Sequence, residues 1–179
     1  MTSEAFGLIQ VGPVSDYSLH ALGEHLSSRF PWFAMKELAP IIQPDEAYDS
    51  LRSQHHSTRI LAMLETHIQD LNIQRLLGLT ALDLYVPGMN FVFGEARLPG
   101  KVGVVSTYRL KPKSLKSIGI LEERVLKEAV HEIGHMLGLK HCLNGSCVMY
   151  FSERLSDTDR KMTEFCDTCR PKVEMIRVE

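Results

Sequence analysis

His131, Glu132, His135 and His141 are the residues of this chain whose types and spacing best suit chemistry. His131 and His135 stand four apart, so on a helix of 3.6 residues per turn their imidazoles lie about 40° apart on one face and can bind one metal ion. Glu132 sits beside them as a carboxylate that need not be a ligand. Gly138 follows three residues after His135, where a helix C-terminus commonly requires a left-handed residue. A turn there delivers His141 to the same ion. Three histidines with a fourth position open make a catalytic rather than a structural zinc site. After some histidine of the chain, this composition yields the whole pattern by chance with a probability of roughly 10⁻⁴. We therefore read a metal site, not capped surface histidines.

The four cysteines, Cys142, Cys147, Cys166 and Cys169, all fall in the last quarter of the chain. A pair with four residues between, followed by Cys-x-x-Cys, suits a tetrahedral thiolate zinc. Two disulfides or an iron–sulfur cluster are the alternatives. Disulfide frameworks belong to secreted chains, and Met1-Thr2-Ser3-Glu4-Ala5 lacks the basic start and apolar stretch of a signal peptide. The expectation is two zinc ions per chain, a catalytic one on His131, His135 and His141 and a structural one on the four cysteines. Ligation needs neutral imidazoles, so affinity for the catalytic ion should fall below about pH 6.5.

The run from His131 to His141 resembles the signature of the metzincin zinc metallopeptidases. With Cys142, Cys147, Met149 and Cys166-x-x-Cys169 added, residues 131–169 are similar to the archaemetzincins. Residues 90–96 and 104–110 resemble that family less specifically. The resemblance implies a twisted mixed sheet backed by two helices, with a cleft below it. It also implies that Met149, which alone reads as a core methionine, forms the floor of a Met-turn beneath the zinc ligands. In some metzincins a supporting tyrosine lies two residues after that methionine. Tyr150 follows it directly, so the role does not transfer, and Tyr150 stands as an oxyanion helper or pocket wall. Metzincins also hold substrate along an edge strand above the zinc, which points to residues 103–107.

The elements that must position these groups follow from periodicity. Residues 6–11 read as a strand, and residues 16–30 as a helix with Leu19, Leu22, Leu26 and Phe30 on one face and Ser15 or Asp16 as cap. Residues 33–42 read as extended. Residues 45–70 hold a helical stretch with Ile60, Leu61, Leu64 and Ile68 on one face, and residues 79–86 read as a third strand. Strand, helix, strand, helix, strand implies parallel strands joined by crossovers. Residues 91–93 and 102–110 add two strands, one of them an antiparallel edge. Residues 122–137 form the histidine helix, apolar on its other faces, and residues 156–165 a last helix capped by Ser156. The fold class is α/β (α+β), a mixed five-stranded sheet with two backing or active-site helices.

At 179 residues a single domain is expected, with an upper part at 1–138 and a lower part at 139–179. The lower part is too short for an ample core of its own, and a thiolate zinc can replace that core. Net charge is −2 without a long charge run, which disfavours a zinc-finger-like nucleic-acid binder. No run of about 18 apolar residues exists, so no membrane span is expected. No cysteine-bearing pro-segment precedes the site, and His20, His25, His55, His56 and His67 read as surface residues. The reading is a cytoplasmic monomeric zinc peptidase acting on peptide or unfolded polypeptide, with Glu132 as general base and acid. The alternative is a protein with the metal site intact but little peptidase activity, serving as a binding module or acting on an unrecognised substrate.

Overall fold

The computed structural model describes residues 4–13, 17–41, 44–112 and 118–176. The strand β1 (Glu4–Val11) carries Phe6, Leu8, Ile9 and Val11, all fully buried. A strand apolar on both faces belongs in the middle of a covered sheet. β1 pairs in parallel with β2 (Phe33–Ile41) on one side and with β5 (Arg75–Thr80) on the other. β8 (Val102–Ser106) lies parallel to β5, and β7 (Gly94–Ala96) runs antiparallel at the edge, giving the order β2-β1-β5-β8-β7.

Period-two alternation separates two apolar clusters. Phe6, Leu8, Leu77, Leu79 and Val105 face α1 (Leu19–Arg29) and α3 (Ile118–Met136). Ile9, Val11, Leu76, Val102 and Val104 face α2 (Ser57–His67), whose Ile60, Leu61 and Leu64 are fully buried. The sheet is therefore covered on both sides. α3 carries Val125, Ala129, Val130 and Ile133 inside the first cluster, as a helix buried round most of its circumference requires.

Several sequence expectations change here. Ser15 and Asp16 lie outside the described residues, as does Ile42; α1 is capped by Ser18, whose Oγ accepts the Ala21 N–H. The helical stretch expected within residues 45–70 is α2, Ser57–His67, and residues 45–56 before it are not part of it. They form a 3-10 turn (Asp45–Ala47) and a hairpin of β3 (Tyr48–Asp49) with β4 (Gln54–His56). The Asp49 carboxylate accepts the N–H groups of Leu51 and Arg52, an Asx turn that competes with helix.

The third strand comes earlier than expected, at Arg75–Thr80. β6 (Leu84–Tyr85) joins β4 and β3 in a second, three-stranded sheet. Arg75 and Gly78 interrupt the apolar run and hide its beginning. Residues 91–93 contribute only one bridge, Val92 with Leu84, so the antiparallel edge is β7. The last helix is short, α4 (Leu155–Arg160), and Arg154 rather than Ser156 precedes it, with the Arg154 N–H donated to Asp157. A further helix, α5 (Arg170–Ile176), has Pro171 in its first turn, a position proline tolerates and a signal the periodicity does not carry.

Among the described residues no helix is long and apolar enough to cross a membrane.

Candidate active site

α3 delivers His131 and His135, both buried. It ends where the sequence places the stop. Gly138 has φ +91°, its N–H reaches the His135 carbonyl at 2.8 Å and the Leu139 N–H reaches the Gly134 carbonyl at 2.9 Å. That pair of bonds is a Schellman cap, which needs a residue at positive φ. The cap also orients an imidazole, because His135 Nδ1–H donates to the Leu139 carbonyl at 2.7 Å. His131 Nδ1–H donates to the Val148 carbonyl at 2.8 Å. Each bond consigns the proton to Nδ1 and leaves Nε2 as a lone-pair donor.

The chain then returns His141 to the same point. His135 Nε2 lies 3.0 Å from His131 Nε2 and 3.2 Å from His141 Nε2. Three nitrogens about 2.0–2.1 Å from one tetrahedral zinc lie about 3.3 Å apart, so the geometry fits that ion. Burial pulls the His131 and His135 imidazoles below the ordinary histidine range and takes His141, the outermost, down to about 4. Proton competition for the ligands therefore sets in further into acid than the pH 6.5 expected from an unperturbed imidazole.

Glu132 is buried beside them, and its Oε2 has no hydrogen-bond partner among the described residues. Burial, then the charge of Glu128, raises its carboxyl well above the ordinary range, against the opposing pull of Lys161. An orphaned buried carboxylate oxygen is a place for a water or a substrate proton. Its seat is tight. A Cβ on Gly94 of β7 would stand 2.7 Å from Glu132 Oε1. The helix is equally close to Met149, since a Cβ on Gly134 would meet the Met149 Sδ at 2.3 Å. Met149 is fully buried in the core cluster, which fits the floor position that the Met-turn resemblance implies as well as an ordinary core methionine.

The cleft above this floor has a volume of about 380 Å³, and Glu95, Phe151 and Ser152 line it together with the histidines, Glu128 and Glu132. Tyr150 is not in its wall; the ring of Phe151, one residue on, lies 4.8 Å from that of His141. Residues 103–107 are not at an edge. β8 is hydrogen-bonded by β5 on one side and β7 on the other, which leaves β7 as the strand with a free flank beside the cleft. Glu95 falls in the 90–96 stretch marked by the family resemblance but without a role, while Glu128, Phe151, Ser152 and Lys161 gave no signal in the sequence, since each takes its place only through partners distant along the chain. His55 and His56, expected at the surface, are half-buried on β4.

The four cysteines also converge. Their sulfurs lie within 4.8 Å of one another, and all four are free thiols. Cys142 Sγ and Cys166 Sγ are 3.8 Å apart, the edge of a tetrahedron with Zn–S bonds of about 2.3 Å and far beyond a disulfide bond. Burial pushes the Cys166 thiol up, but the Cys169 and Thr168 N–H groups together with the Cys147 and Cys142 thiols bring it down to about 6. The Cys166 N–H in turn donates to Cys147 Sγ at 3.4 Å.

Comparison with known proteins agrees with this geometry. The model of peptidase family M54 matches residues 36–175. The chain is similar to the archaemetzincin of Archaeoglobus fulgidus, 48% identical over 128 residues that span 72% of this chain and 74% of the relative. It is 42% identical to the archaemetzincin of Methanocaldococcus jannaschii over 92% of this chain and 89% of that one. In three dimensions it is similar to the crystal structure of archaemetzincin from Methanopyrus kandleri, with a TM-score of 0.88 and 34% identity, covering 99% of this chain and 97% of the other.

Proposed function

The chain belongs to peptidase family M54 and is a zinc metallopeptidase of the archaemetzincin type, and from that premise we propose that it hydrolyses peptide bonds with Glu132 as general base and acid. The observation that carries this reading is the convergence of three Nε2 atoms on one point beside an unpartnered Glu132 oxygen. His131, His135 and His141 are the residues that hold the ion. Zinc, when bound, supplies Lewis acidity to the scissile carbonyl, acidifies a water and favours the ionised form of a nearby carboxyl. Glu132 takes the proton of the attacking water through Oε2 and returns it to the leaving amine. The Nδ1–H bonds to Val148 and Leu139 keep His131 and His135 from rotating away.

Substrate enters in an extended form. Among the described residues β7 pairs only with β8, so its other flank can take a peptide by strand addition. Val86, Met89, Val92, Phe93 and Leu98 make most of the remaining wall, which suits a large apolar side chain beside the scissile bond. Cys142, Cys147, Cys166 and Cys169 hold a second zinc with a structural role, giving two ions per chain and a lower part, residues 139–179, stapled by metal.

The test is hydrolysis of a peptide library by the zinc-loaded protein, read beside Glu132→Gln. Activity should fall by about 10²–10⁴-fold in the variant, with both ions retained on elemental analysis. A Glu132→Gln protein that keeps its rate would show that the base lies elsewhere.

A further inference from the structure

Three carboxylates line the cleft: Glu95, Glu128 and Glu132. Two of them are tied down. Glu95 accepts the hydroxyls of Ser57 and Thr58, the latter at 2.8 and 3.0 Å. Glu128 accepts the Thr158 hydroxyl at 2.7 Å and takes Lys161 Nζ at 3.1 and 3.2 Å on its two oxygens. Only Glu132, of the three, keeps a buried oxygen without a partner.

Lys161 is the unusual member of this set. It is among the largest fully buried side chains of the protein, and lysine is almost never fully buried unless paired. A role as a simple pin for α4 is already filled. Arg124 forks onto Asp159 at 2.6 and 2.8 Å, and Lys127 Nζ reaches the Asp159 carbonyl at 3.3 Å. What Lys161 meets, with Thr158, is the carboxylate of Glu128, four residues before Glu132 on α3 and about 40° round the helix from it. Released, Glu128 would be a second mobile carboxylate in the cleft, able to turn towards the ion or to crowd the charge of Glu132.

We propose that Lys161, with Thr158, is a positioning residue of the reaction, holding the Glu128 carboxylate away from the metal so that Glu132 alone is free to exchange a proton. The proposal rests on Glu132 as the base, and the segment after α4 thus supplies charge control to a helix far from it in sequence.

The experiment compares Lys161→Met, Lys161→Arg, Thr158→Val and the double variant Glu128→Gln/Lys161→Met. Each is prepared with cobalt(II) at the histidine site for visible spectroscopy and with zinc for kinetics. In Lys161→Met, kcat should fall at least about tenfold with KM little changed, the pattern of a loss felt in the transition state alone. The cobalt d–d bands should weaken and shift as a carboxylate joins the ion, and dipicolinate should remove the metal several-fold more slowly. The double variant, whose amide carries no charge, should regain the wild-type spectrum and most of the rate. Lys161→Arg, which preserves the pairing, should stay close to wild type. Thr158→Val, which frees one oxygen, should show the same spectral change in smaller degree, and it carries the test if Lys161→Met does not fold. A Lys161→Met or Thr158→Val protein with the wild-type cobalt spectrum, or a double variant no better than Lys161→Met, overturns the proposal. A wild type that cleaves no peptide overturns the peptidase reading instead, while the spectra and metal-loss rates still decide the position of Glu128.

Discussion

The part of the molecule before Gly138 and the part after it are built on different principles. The first is held by repetition: Phe6, Leu8, Ile9 and Val11 on β1, Ile60, Leu61 and Leu64 on α2, and Val125, Ala129, Val130 and Ile133 on α3 fill two clusters on either side of the sheet. The second buries few apolar residues, chiefly Leu139, Val148, Met149 and Val173. It depends on individual contacts: four converging thiols, the Glu128–Lys161 and Arg124–Asp159 ion pairs, and single backbone bonds such as Val148 N–H to the Glu164 carbonyl at 3.0 Å. Yet both parts contribute imidazoles to one centre, His131 and His135 from the first and His141 from the second. Distributed packing should tolerate local damage, whereas point contacts should fail together.

The strongest test of that contrast is Cys166→Ser. Structural zinc contributes an apparent ~10–16 kcal/mol in small metal-folded units, so losing one thiolate should release that ion and loosen residues 139–150. Because His141 and Cys142 are neighbours, with alpha carbons about 3.8 Å apart, the histidine-bound zinc should weaken as well. A chelator titration of wild type and Cys166→Ser, following both ions and Tm, checks it; unchanged catalytic-zinc affinity would break the link.

Leu64→Ala, in the fully buried face of α2, should destabilise by about 2–5 kcal/mol while leaving the relative affinities of the two zinc sites as they are. Denaturant unfolding paired with metal analysis separates this from the cysteine variant.

Gly134→Ala lies at the seam. Alanine favours helix intrinsically, but its Cβ would stand 2.3 Å from the Met149 Sδ, and overpacking of this kind typically destabilises by about 1–3 kcal/mol. The expected outcome is a lower Tm together with faster loss of the histidine-bound ion. A rise in Tm would mean that Met149 moves aside freely.

The smallest effect concerns pH. In the metal-free protein His131, His135 and His141 have folded values below the ordinary 6.5, with His141 at about 4. Below 6.5 the unfolded chain takes up protons that the folded chain does not, so stability should fall as pH drops from about 6.5 towards 4. Glu132 acts in the opposite sense, since its raised value favours the folded state towards acid. Thermal melts of metal-free Glu132→Gln isolate the histidine contribution; a Tm that rises on acidification over this window contradicts it.

The contrast between the two parts also governs what the sequence makes legible. The ligands and their turn are local, so the spacing of His131, His135, Gly138 and His141 is enough to bring them together. The repeated apolar residues announce β1, α1 and α3 for the same reason. Alternation along residues 102–110 marks a strand but says nothing of its neighbours, and the short Gly94–Ala96, with neither alternation nor length, took the edge that β8 seemed to offer. Glu128 and Lys161 are 33 residues apart. Within its polar run, Asp157 to Lys161, the lysine carries the pattern of a solvated surface. No periodicity distinguishes a charge that turns inward, because its partner is fixed only after the chain has folded.

The brevity of β7 bears on self-association. A free sheet edge is a template for any extended chain, including another copy of the same protein. The other edge of the sheet is β2; at the edge beside the cleft that template spans Gly94–Ala96 alone. Beyond it the Arg97 N–H is spent on the Val102 carbonyl, and Pro99 has no N–H to give. Three residues of ladder are too few to hold a visiting strand by backbone bonds alone, since even a two-stranded hairpin is marginal in water. On the proposed function, a chain that also places a carbonyl at the histidine centre gains a second hold, so at this edge a substrate is favoured over a second copy.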